Sequence, residues 1–380
     1  MRDDTLHLET LAVHAGRDPE AGDQGLAPAF KPATTFLRDA KGDYPGGHQY
    51  SRGSNPTRAR LESALAALEG GGDAIAFASG MAAASAVFAL LTPGDHAIVN
   101  ADAYHGITRF VENWLKPRDI GITFCDTAEL KNIEKHVMPE TKLIWLESPS
   151  NPQLKITDLA ATALFARERG ILTACDATLA SPALQRTLDF GIDIVMHSST
   201  KYIGGHSDLL GGVLAARDIN IAERLRGWQI DAGAVPSAFD CWLILRSLPT
   251  LPLRIAQQSA TAARIAAWLV EQNAIEKVFY PGLATHAGHE IAKRQMSNFG
   301  GVVSFQLRGG ERDALAFASG TRLFMQATSL GGVESLIEHR ASVEGAQRRS
   351  PDNLLRMSVG LEHADDLIGD LDRTLRELQQ

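Results

Sequence analysis

Between residues 73 and 216, short apolar runs alternate with longer stretches of helical periodicity. Seven of these runs have the length of buried strands: 74–78, 97–100, 122–125, 143–146, 171–175, 192–196 and 213–216. Intervening segments such as 104–116 and 157–169 have the length and period of helices. Strands that alternate with helices in this way predict an α/β fold, a mostly parallel sheet flanked by helices.

The pattern differs on either side of this region. Residues 1–55 are punctuated by glycine and proline and predict an extended arm, after which Asn55 and Pro56 favour the start of a helix. The apolar face of that helix carries Leu61, Leu65 and Leu68.

Beyond residue 235, helices dominate as far as residue 273. Strand-like runs follow at 276–280, 302–307 and 354–359, and a last helix closes the chain. Strands and helices that no longer alternate indicate a smaller α+β domain. We therefore predict an arm at 1–55, a large α/β domain at 56–240 and a C-terminal α+β domain at 241–380.

The amino-acid composition limits the classes of function that this chain can have. The 380 residues are 44% apolar and carry a net charge of −8 without a basic stripe, which argues against a nucleic-acid partner. No apolar run has the ~18 residues of a membrane span. The three cysteines are few and far apart, which favours reduced thiols in a cytoplasmic protein. The histidines lack ligand spacing, so no metal site is predicted.

Lys201 carries the first candidate chemistry. It follows the apolar run 192–196 and the hydroxyl-rich stretch His197-Ser198-Ser199-Thr200, and two glycines come after it. Ligands of open α/β sheets bind at the carboxyl ends of the strands. A desolvated lysine there can form a Schiff base with a carbonyl, although a solvated surface lysine is the alternative.

Other side chains follow neighbouring strands. Ser79-Gly80-Met81 precedes a helix and can bind an anion through backbone N–H groups, although ordinary turns look alike. Tyr104 can stack on a flat ring or serve only in packing. Asp176 ends an apolar strand and needs a polar partner, or caps the next helix. Ser198 and Thr200 add hydroxyls beside Lys201.

Together these groups match the needs of pyridoxal 5'-phosphate. That cofactor requires a lysine for its aldehyde, a carboxylate for its ring nitrogen, an anion site for its phosphate and an aromatic face. The spacing of Asp176 and Lys201 on two strands of one sheet is more specific than either residue alone.

From about residue 10 to residue 375, the chain resembles the transsulfuration family of pyridoxal-phosphate enzymes. This family includes cystathionine γ-synthase, cystathionine γ- and β-lyases, methionine γ-lyase and homoserine sulfhydrylases. The resemblance is carried by the motifs Tyr50-Ser51-Arg52-Gly53-Ser54-Asn55-Pro56, Ser79-Gly80-Met81, Glu147-Ser148-Pro149-Ser150-Asn151-Pro152, the stretch 197–208, Ser329-Leu330-Gly331-Gly332 and Arg356-Met357-Ser358.

The resemblance implies a fold and a set of roles. The fold would be that of aspartate aminotransferase (fold type I). Lys201 would hold the cofactor and move protons, Asp176 would pair with the ring nitrogen, and Tyr104 would stack on the ring and assist catalysis. The implied phosphate ligands are Gly80, Met81, Ser198 and Thr200, joined by Tyr50 and Arg52 from a neighbouring subunit. The implied substrate ligands are Asn151, Ser329 and Arg356. The family is usually a dimer of dimers.

Three positions and one segment depart from the family pattern. Gln49 and Thr328 stand where acids that favour a distal ammonium group are common. Ala177 replaces the usual asparagine after Asp176, and the segment 337–345 lacks the common Pro…Thr-His stretch. Its acids or Arg340 can substitute at the substrate entrance.

The sequence therefore predicts a C–S lyase acting on cystathionine or a related sulfur amino acid. Two alternatives stay open at this point. One is γ-replacement on an O-acyl-homoserine, and the other is a non-catalytic relative that keeps the fold as a binding module.

Overall fold

Two β-sheets organise the chain. The computed structural model describes residues 6–17, 25–344 and 348–378. Parts of the predicted arm (1–5 and 18–24), Gly345 of the segment that departs from the family pattern, and the last two residues of the predicted C-terminal domain lie outside the described residues. The large sheet contains β1 (Asp73–Phe77), β2 (His96–Asn100), β3 (Gly121–Cys125), β4 (Thr141–Glu147), β5 (Leu172–Asp176), β6 (Ile194–His197) and β7 (Gly212–Ala216).

The large sheet is mostly parallel, as predicted. Its strand order is β1-β7-β6-β5-β4-β2-β3, and β7 alone among these seven runs antiparallel to the other six. Successive residues of a strand face opposite sides of the sheet. In β4, for example, Leu143 and Trp145 enter one apolar core while Ile144 and Leu146 enter the other. Burial on both faces explains why the strands read as continuous apolar runs.

Helices cover both faces of this sheet. They are α2 (Pro56–Leu68), α3 (Gly80–Phe88), α4 (His105–Phe110), α5 (Leu130–His136), α6 (Leu159–Arg167), α7 (Ser181–Leu184), α8 (Ile219–Ala232) and α9 (Ala238–Ser247). The segment predicted as one helix over 104–116 is α-helical only to Phe110 and continues as a π-helical stretch, Val111–Leu115.

The small sheet lies C-terminal to the large one. Its strands are β8 (Ile275–Phe279), β9 (Val302–Leu307), β10 (Met325–Gln326), β11 (Leu336–His339) and β12 (Leu354–Ser358), in the order β10-β11-β12-β9-β8. Its helices are α10 (Leu251–Val270), α11 (His289–Gln295), α12 (Glu311–Gly320), α13 (Arg340–Glu344) and α14 (Ala364–Leu378). A third core fills the space between this sheet and helices α10, α12 and α14.

The predicted arm begins with a helix that the sequence analysis does not anticipate, α1 (Leu8–His14). Leu11 and Ala12 of this helix are buried beside α2 and α10, so residues 8–14 pack on the body of the protein. From residue 25 to residue 55 the chain is extended and largely exposed. The division into three units stays a prediction, and its boundary at 240/241 falls inside α9.

Candidate active site

A cleft lies at the carboxyl ends of the large-sheet strands and is closed on one side by residues of the small sheet. Its volume is about 540 Å³. Ten of the twelve predicted site residues line it: Gly80, Met81, Tyr104, Asn151, Asp176, Ser198, Thr200, Lys201, Ser329 and Arg356. A larger cavity, about 1040 Å³, lies between α2 and the arm and contains none of them.

The other two predicted residues lie outside this cleft. The side chain of Tyr50 is half-exposed on the arm. The Nη1 group of Arg52 donates a hydrogen bond to the Ile230 carbonyl at 2.9 Å. Within the single chain, Tyr50 and Arg52 are therefore separated from the ten residues that converge.

Lys201 reaches into the cleft with a desolvated amine. Its Nζ donates to Ser329 Oγ at 2.8 Å. Burial lowers the pKa of this amine, the Arg356 charge lowers it further, and Glu338 opposes the shift. Ser329, the acceptor of this bond, has a φ of 94°, a backbone conformation that L-residues rarely adopt. Lys201 is therefore biased toward the neutral form that can attack a carbonyl.

Asp176 has a second carboxyl group beside it. Glu147 ends β4 directly opposite Asp176 on β5. Burial raises the pKa of both groups, and the Asp176 charge raises that of Glu147 further, whereas hydrogen bonds from Thr178 act in the opposite direction on Asp176. A buried carboxyl, Glu147, and a partly buried one, Asp176, on adjacent strands favour a cationic ligand between or near them. A protonated ring nitrogen meets that requirement.

Glu147 also holds two predicted site residues in place. Its Oε2 accepts a hydrogen bond from the Tyr104 backbone N–H at 2.9 Å, and its Oε1 accepts one from the Asn151 backbone N–H at 3.2 Å. Since Glu147 is buried, these bonds are shielded from competing water. One side chain thus fixes both the aromatic wall and a substrate-side residue.

The N-terminus of α3 forms a concave polar surface. The Oγ of Ser79 caps the helix by accepting the Ala82 N–H at 3.1 Å. A Cβ atom added to Gly80 would lie 2.9 Å from the Ser198 side chain, so only glycine allows this close approach. Free N–H groups at such a helix end attract phosphate, and the hydroxyl-bearing residues Ser198 and Thr200 lie in the same cleft.

Tyr104 stands at the cleft wall with its ring partly exposed. A Cβ on Gly106 would come within 2.6 Å of Tyr104 Cε1 and 2.9 Å of Met81 Sδ, so the ring packs closely over this glycine. The Tyr104 and His105 rings lie 4.3 Å apart between centroids. The flat face needed to stack on a cofactor ring is therefore held at the cleft.

Arg356 is a buried cation of the small sheet. Its Nη1 donates to Asn151 Oδ1 at 3.0 Å and its Nη2 donates to the Ser329 carbonyl at 2.6 Å. Glu338 Oε1 lies 3.0 Å from Nη2. Burial lowers the pKa of Arg356 to about 10, against the opposing effect of Glu338. A guanidinium held by three partners is suited to binding a carboxylate.

The residues of the cleft fit pyridoxal phosphate, because a desolvated lysine, paired acids, an anion-binding helix end and an aromatic face converge there. Comparisons with known proteins agree. The family model for Cys/Met metabolism PLP-dependent enzymes matches residues 9–376. The chain belongs to this family. The predicted fold class, cofactor and enzyme class are thereby confirmed, and an amino-acid substrate is consistent with the family.

Relatives within the family have different activities. The chain is 45% identical over 372 residues to cystathionine gamma-synthase from Mycobacterium bovis, covering 96% of each chain. It is 42% identical to cystathionine beta-lyase MetC from Bacillus subtilis, covering 98% of this chain and 97% of the relative. Its structure matches that of cystathionine gamma-lyase from Lactobacillus plantarum with a TM-score of 0.94 and 38% identity, covering 98% and 100% of the two chains.

These findings support the predicted function as a PLP-dependent lyase or γ-replacement enzyme of sulfur amino-acid metabolism. Within the described residues, no cluster of side chains could hold a metal ion. The helices of residues 6–17, 25–344 and 348–378 include none with the length and apolar character needed to cross a bilayer.

Glu147 and His105 also line the cleft and have no role in the sequence-based prediction, which covers Glu338 only as one of the acids of segment 337–345. Glu147 could have been found, since it ends an apolar strand in the same way as Asp176. Glu338 gives no comparable signal, because its importance depends on Arg356, eighteen residues later and paired with it across two antiparallel strands.

Proposed function

We propose that this family member eliminates a thiol from cystathionine or a related sulfur amino acid, releasing a keto acid and ammonia. The observation that carries the proposal is the desolvated Lys201 amine, hydrogen-bonded to Ser329 at the carboxyl ends of the strands and in one cleft with Asp176. When bound, pyridoxal phosphate supplies an aldehyde carbon and an electron-accepting ring.

Each cofactor contact has a proposed residue. Asp176 keeps the ring nitrogen protonated, with Glu147 behind it, and Tyr104 stacks on the ring. Gly80 and Met81 bind the phosphate through the N-terminus of α3, and Ser198 and Thr200 bind it through hydroxyls. Lys201 is the attachment point, because it is the lysine that lines the cleft.

The substrate is oriented by the small-sheet side of the cleft. Arg356 binds its α-carboxylate, with Asn151 and Ser329 beside that group. This orientation directs the substrate Cα–H toward Lys201, whose neutral amine accepts the proton. Tyr104, also at the cleft wall, is the second catalytic residue. Sulfur then leaves Cβ and takes up a proton to give the free thiol, whereas departure from Cγ requires that a Cβ proton be removed first. Water hydrolyses the resulting enamine, through its imine, to the keto acid and ammonia.

A second candidate is γ-replacement on an O-acyl-homoserine. It is favoured by the 45% identity to a protein named cystathionine gamma-synthase. Thr328, which lines the cleft, and Gln49 also provide no acid for the distal ammonium of cystathionine.

The active site is proposed to be complete only in a homo-oligomer, a dimer of dimers. Tyr50 and Arg52 lie outside their own cleft, which supports a role in a neighbouring subunit. A cytoplasmic location is supported by the three cysteines, which are buried free thiols rather than disulfides.

The test is a pair of assays on the purified holoenzyme. The first measures pyruvate and 2-oxobutyrate released from cystathionine, which also separates Cβ–S from Cγ–S cleavage. The second measures thiol-dependent product from O-succinyl- and O-acetyl-homoserine. Keto-acid release in the first assay supports the lyase. A protein inert in the first assay and active in the second would establish γ-replacement instead.

A further inference from the structure

Glu338 and Arg356 occupy opposed positions on two antiparallel strands, β11 and β12. Arg340, two residues after Glu338, begins α13, so it lies within reach of the same carboxylate. All three side chains line the active-site cleft, and all three residues are at most 5% exposed. This places a second guanidinium beside the one proposed to bind the substrate carboxylate.

A single oxygen joins the two arginines. Glu338 Oε1 lies 3.0 Å from Arg356 Nη2 and 2.5 Å from Arg340 Nη1. Because the oxygen is shared, Arg356 does not hold Glu338 as an exclusive partner. A carboxylate oxygen that Arg340 also holds can orient the Arg356 guanidinium and still leave part of the guanidinium charge unneutralised.

Arg340 is itself anchored. Its Nη2 lies 3.3 Å from Glu344 Oε1. Glu344 Oε2 accepts the backbone N–H groups of Arg349 at 2.7 Å and Ser350 at 2.9 Å. Arg349 Nη1 then donates to the Ala101 carbonyl at 2.9 Å, just beyond β2 of the large sheet. These contacts therefore connect Arg356, the proposed carboxylate-binding residue, to Ala101 at the end of β2, three residues before Tyr104.

The side chains of Arg340 and Arg356 line this end of the cleft beside a single lining carboxylate, Glu338. The Glu344 carboxylate is largely satisfied by two backbone N–H groups and the Ser350 hydroxyl. The pKa of His105 reflects these charges. Burial lowers this pKa, and the Arg340 and Arg109 charges lower it further, whereas Glu344 and Glu338 have smaller effects in the opposite direction. A substrate carboxylate at Arg356 would offset this excess of arginines over lining carboxylates.

We propose that Arg340 is a positioning residue for substrate binding. It holds Glu338, and through Glu338 it sets the orientation of Arg356 toward the α-carboxylate. The inference rests on the proposed function insofar as Arg356 binds that carboxylate. Arg340 lies in the segment 337–345, which lacks the family's common Pro…Thr-His stretch.

The test compares two ligands that differ only in the carboxylate. L-Norleucine and pentylamine both carry an amine that can react with the cofactor, and neither carries a leaving group. Binding to the holoenzyme is measured by titrating the change in the visible cofactor absorption. In Arg340→Gln we expect the Kd of norleucine to rise about tenfold or more, because a buried charge loses its partner, while the Kd of pentylamine changes less than about twofold. Equal shifts for both ligands, or no shift, would overturn the inference.

Further variants separate positioning from folding. Glu338→Gln should weaken norleucine binding in the same way, and the double variant should be no weaker than Glu338→Gln alone, since Arg340 acts through that carboxylate. Fully additive effects would contradict this. Arg340→Lys keeps the charge but replaces the planar, forked guanidinium with a shorter side chain that ends in a single ammonium, so it should give an intermediate loss. It also serves as the test if Arg340→Gln fails to fold. Arg348→Gln, at an exposed arginine that follows the segment 337–345, is the matched control and should bind as wild type.

The results that would refute this inference differ from the results that would refute the proposed function. A wild-type holoenzyme without visible cofactor absorption would refute the role of Lys201. Normal absorption with unchanged norleucine binding in Arg340→Gln would refute the positioning role alone.

Discussion

At the scale of single residues, the chemistry depends on ionisable groups whose pKa values burial shifts from their ordinary values. Lys201 is desolvated and faces the Arg356 charge, while Asp176 and Glu147 lie side by side on adjacent strands. None of these shifts can be read from residue type, because each requires the distance between groups far apart in sequence. Burial and neighbouring charges therefore favour a neutral Lys201 amine and place two carboxyl groups where a cationic ring can bind.

Replacing the proposed attachment residue tests the chemistry directly. Lys201→Ala should lose the visible cofactor absorption and at least about a hundredfold of activity, since the general base is removed. The measurement is absorption of the purified holoenzyme together with keto-acid release. Lys142→Ala, an exposed lysine of β4, is the control and should stay yellow and active. A yellow, active Lys201→Ala protein would contradict the proposed mechanism.

The charged groups beside Lys201 determine how the rate of cofactor binding should change with pH. Arg356 lowers the lysine pKa and Glu338 raises it. Only the neutral amine attacks an aldehyde. In Arg356→Gln, the pH of half-maximal rate for PLP binding to the apoenzyme should therefore move upward, and in Glu338→Gln it should move downward. The check is the rate at which visible absorption returns across a pH series, and shifts in the same direction would contradict the assignment.

At the scale of secondary-structure elements, local signals predicted most boundaries and failed where an element depends on its neighbours. Asn55 and Pro56 begin α2 as predicted, and the Asn55 side chain caps it by accepting from Thr57 N–H at 2.9 Å. The strand β11 was missed, because its last two residues, Glu338 and His339, are charged or polar groups that only tertiary partners allow to be buried. Helix α1 was missed because its seven residues are stabilised by packing on the body rather than by a strong helical pattern of their own.

The cap of α2 also joins the arm to the body. Asn55 Nδ2 donates to the Lys31 carbonyl at 3.0 Å, and the side chain is buried. Asn55→Ala should lower the free energy of unfolding by about 1–2 kcal/mol, from the lost cap and the lost arm contact. Urea denaturation at fixed cofactor concentration measures this effect. Asn273→Ala, at an exposed asparagine, should change stability by less than about 0.5 kcal/mol, and an equal loss in both variants would argue against the cap.

At the scale of the whole molecule, the cleft is assembled from both sheets. Lys201 and Asp176 come from the large sheet and its loops, whereas Arg356 and Glu338 come from the small sheet. Tyr50 and Arg52 are left on an exposed arm that does not reach the cleft of its own chain. The proposed oligomer completes the phosphate site by placing that arm against a neighbouring cleft.

Subunit mixing tests this arrangement. If Arg52 acts in the neighbouring subunit, Lys201→Ala and Arg52→Ala proteins are each impaired, but a mixed dimer contains one intact site. Random re-association of equal amounts should then recover about one quarter of wild-type activity. The activity of the mixture is measured after dissociation and re-association, with each variant treated alone as the control. Failure to exceed the activity of the separate variants would mean that Arg52 acts within its own chain or not at all.

The sequence by itself determined the α/β class, the positions of the main strands along the chain and the candidate cofactor residues. These properties depend on local periodicity, on turn chemistry and on motifs that stay contiguous along the chain. Only the tertiary structure decided that ten of those residues share one cleft and that Glu147 supports two of them. It also decided that Glu338 lies between Arg340 and Arg356. Contacts of this kind join residues on different strands, and their strength depends on burial and distance, which a linear pattern does not encode.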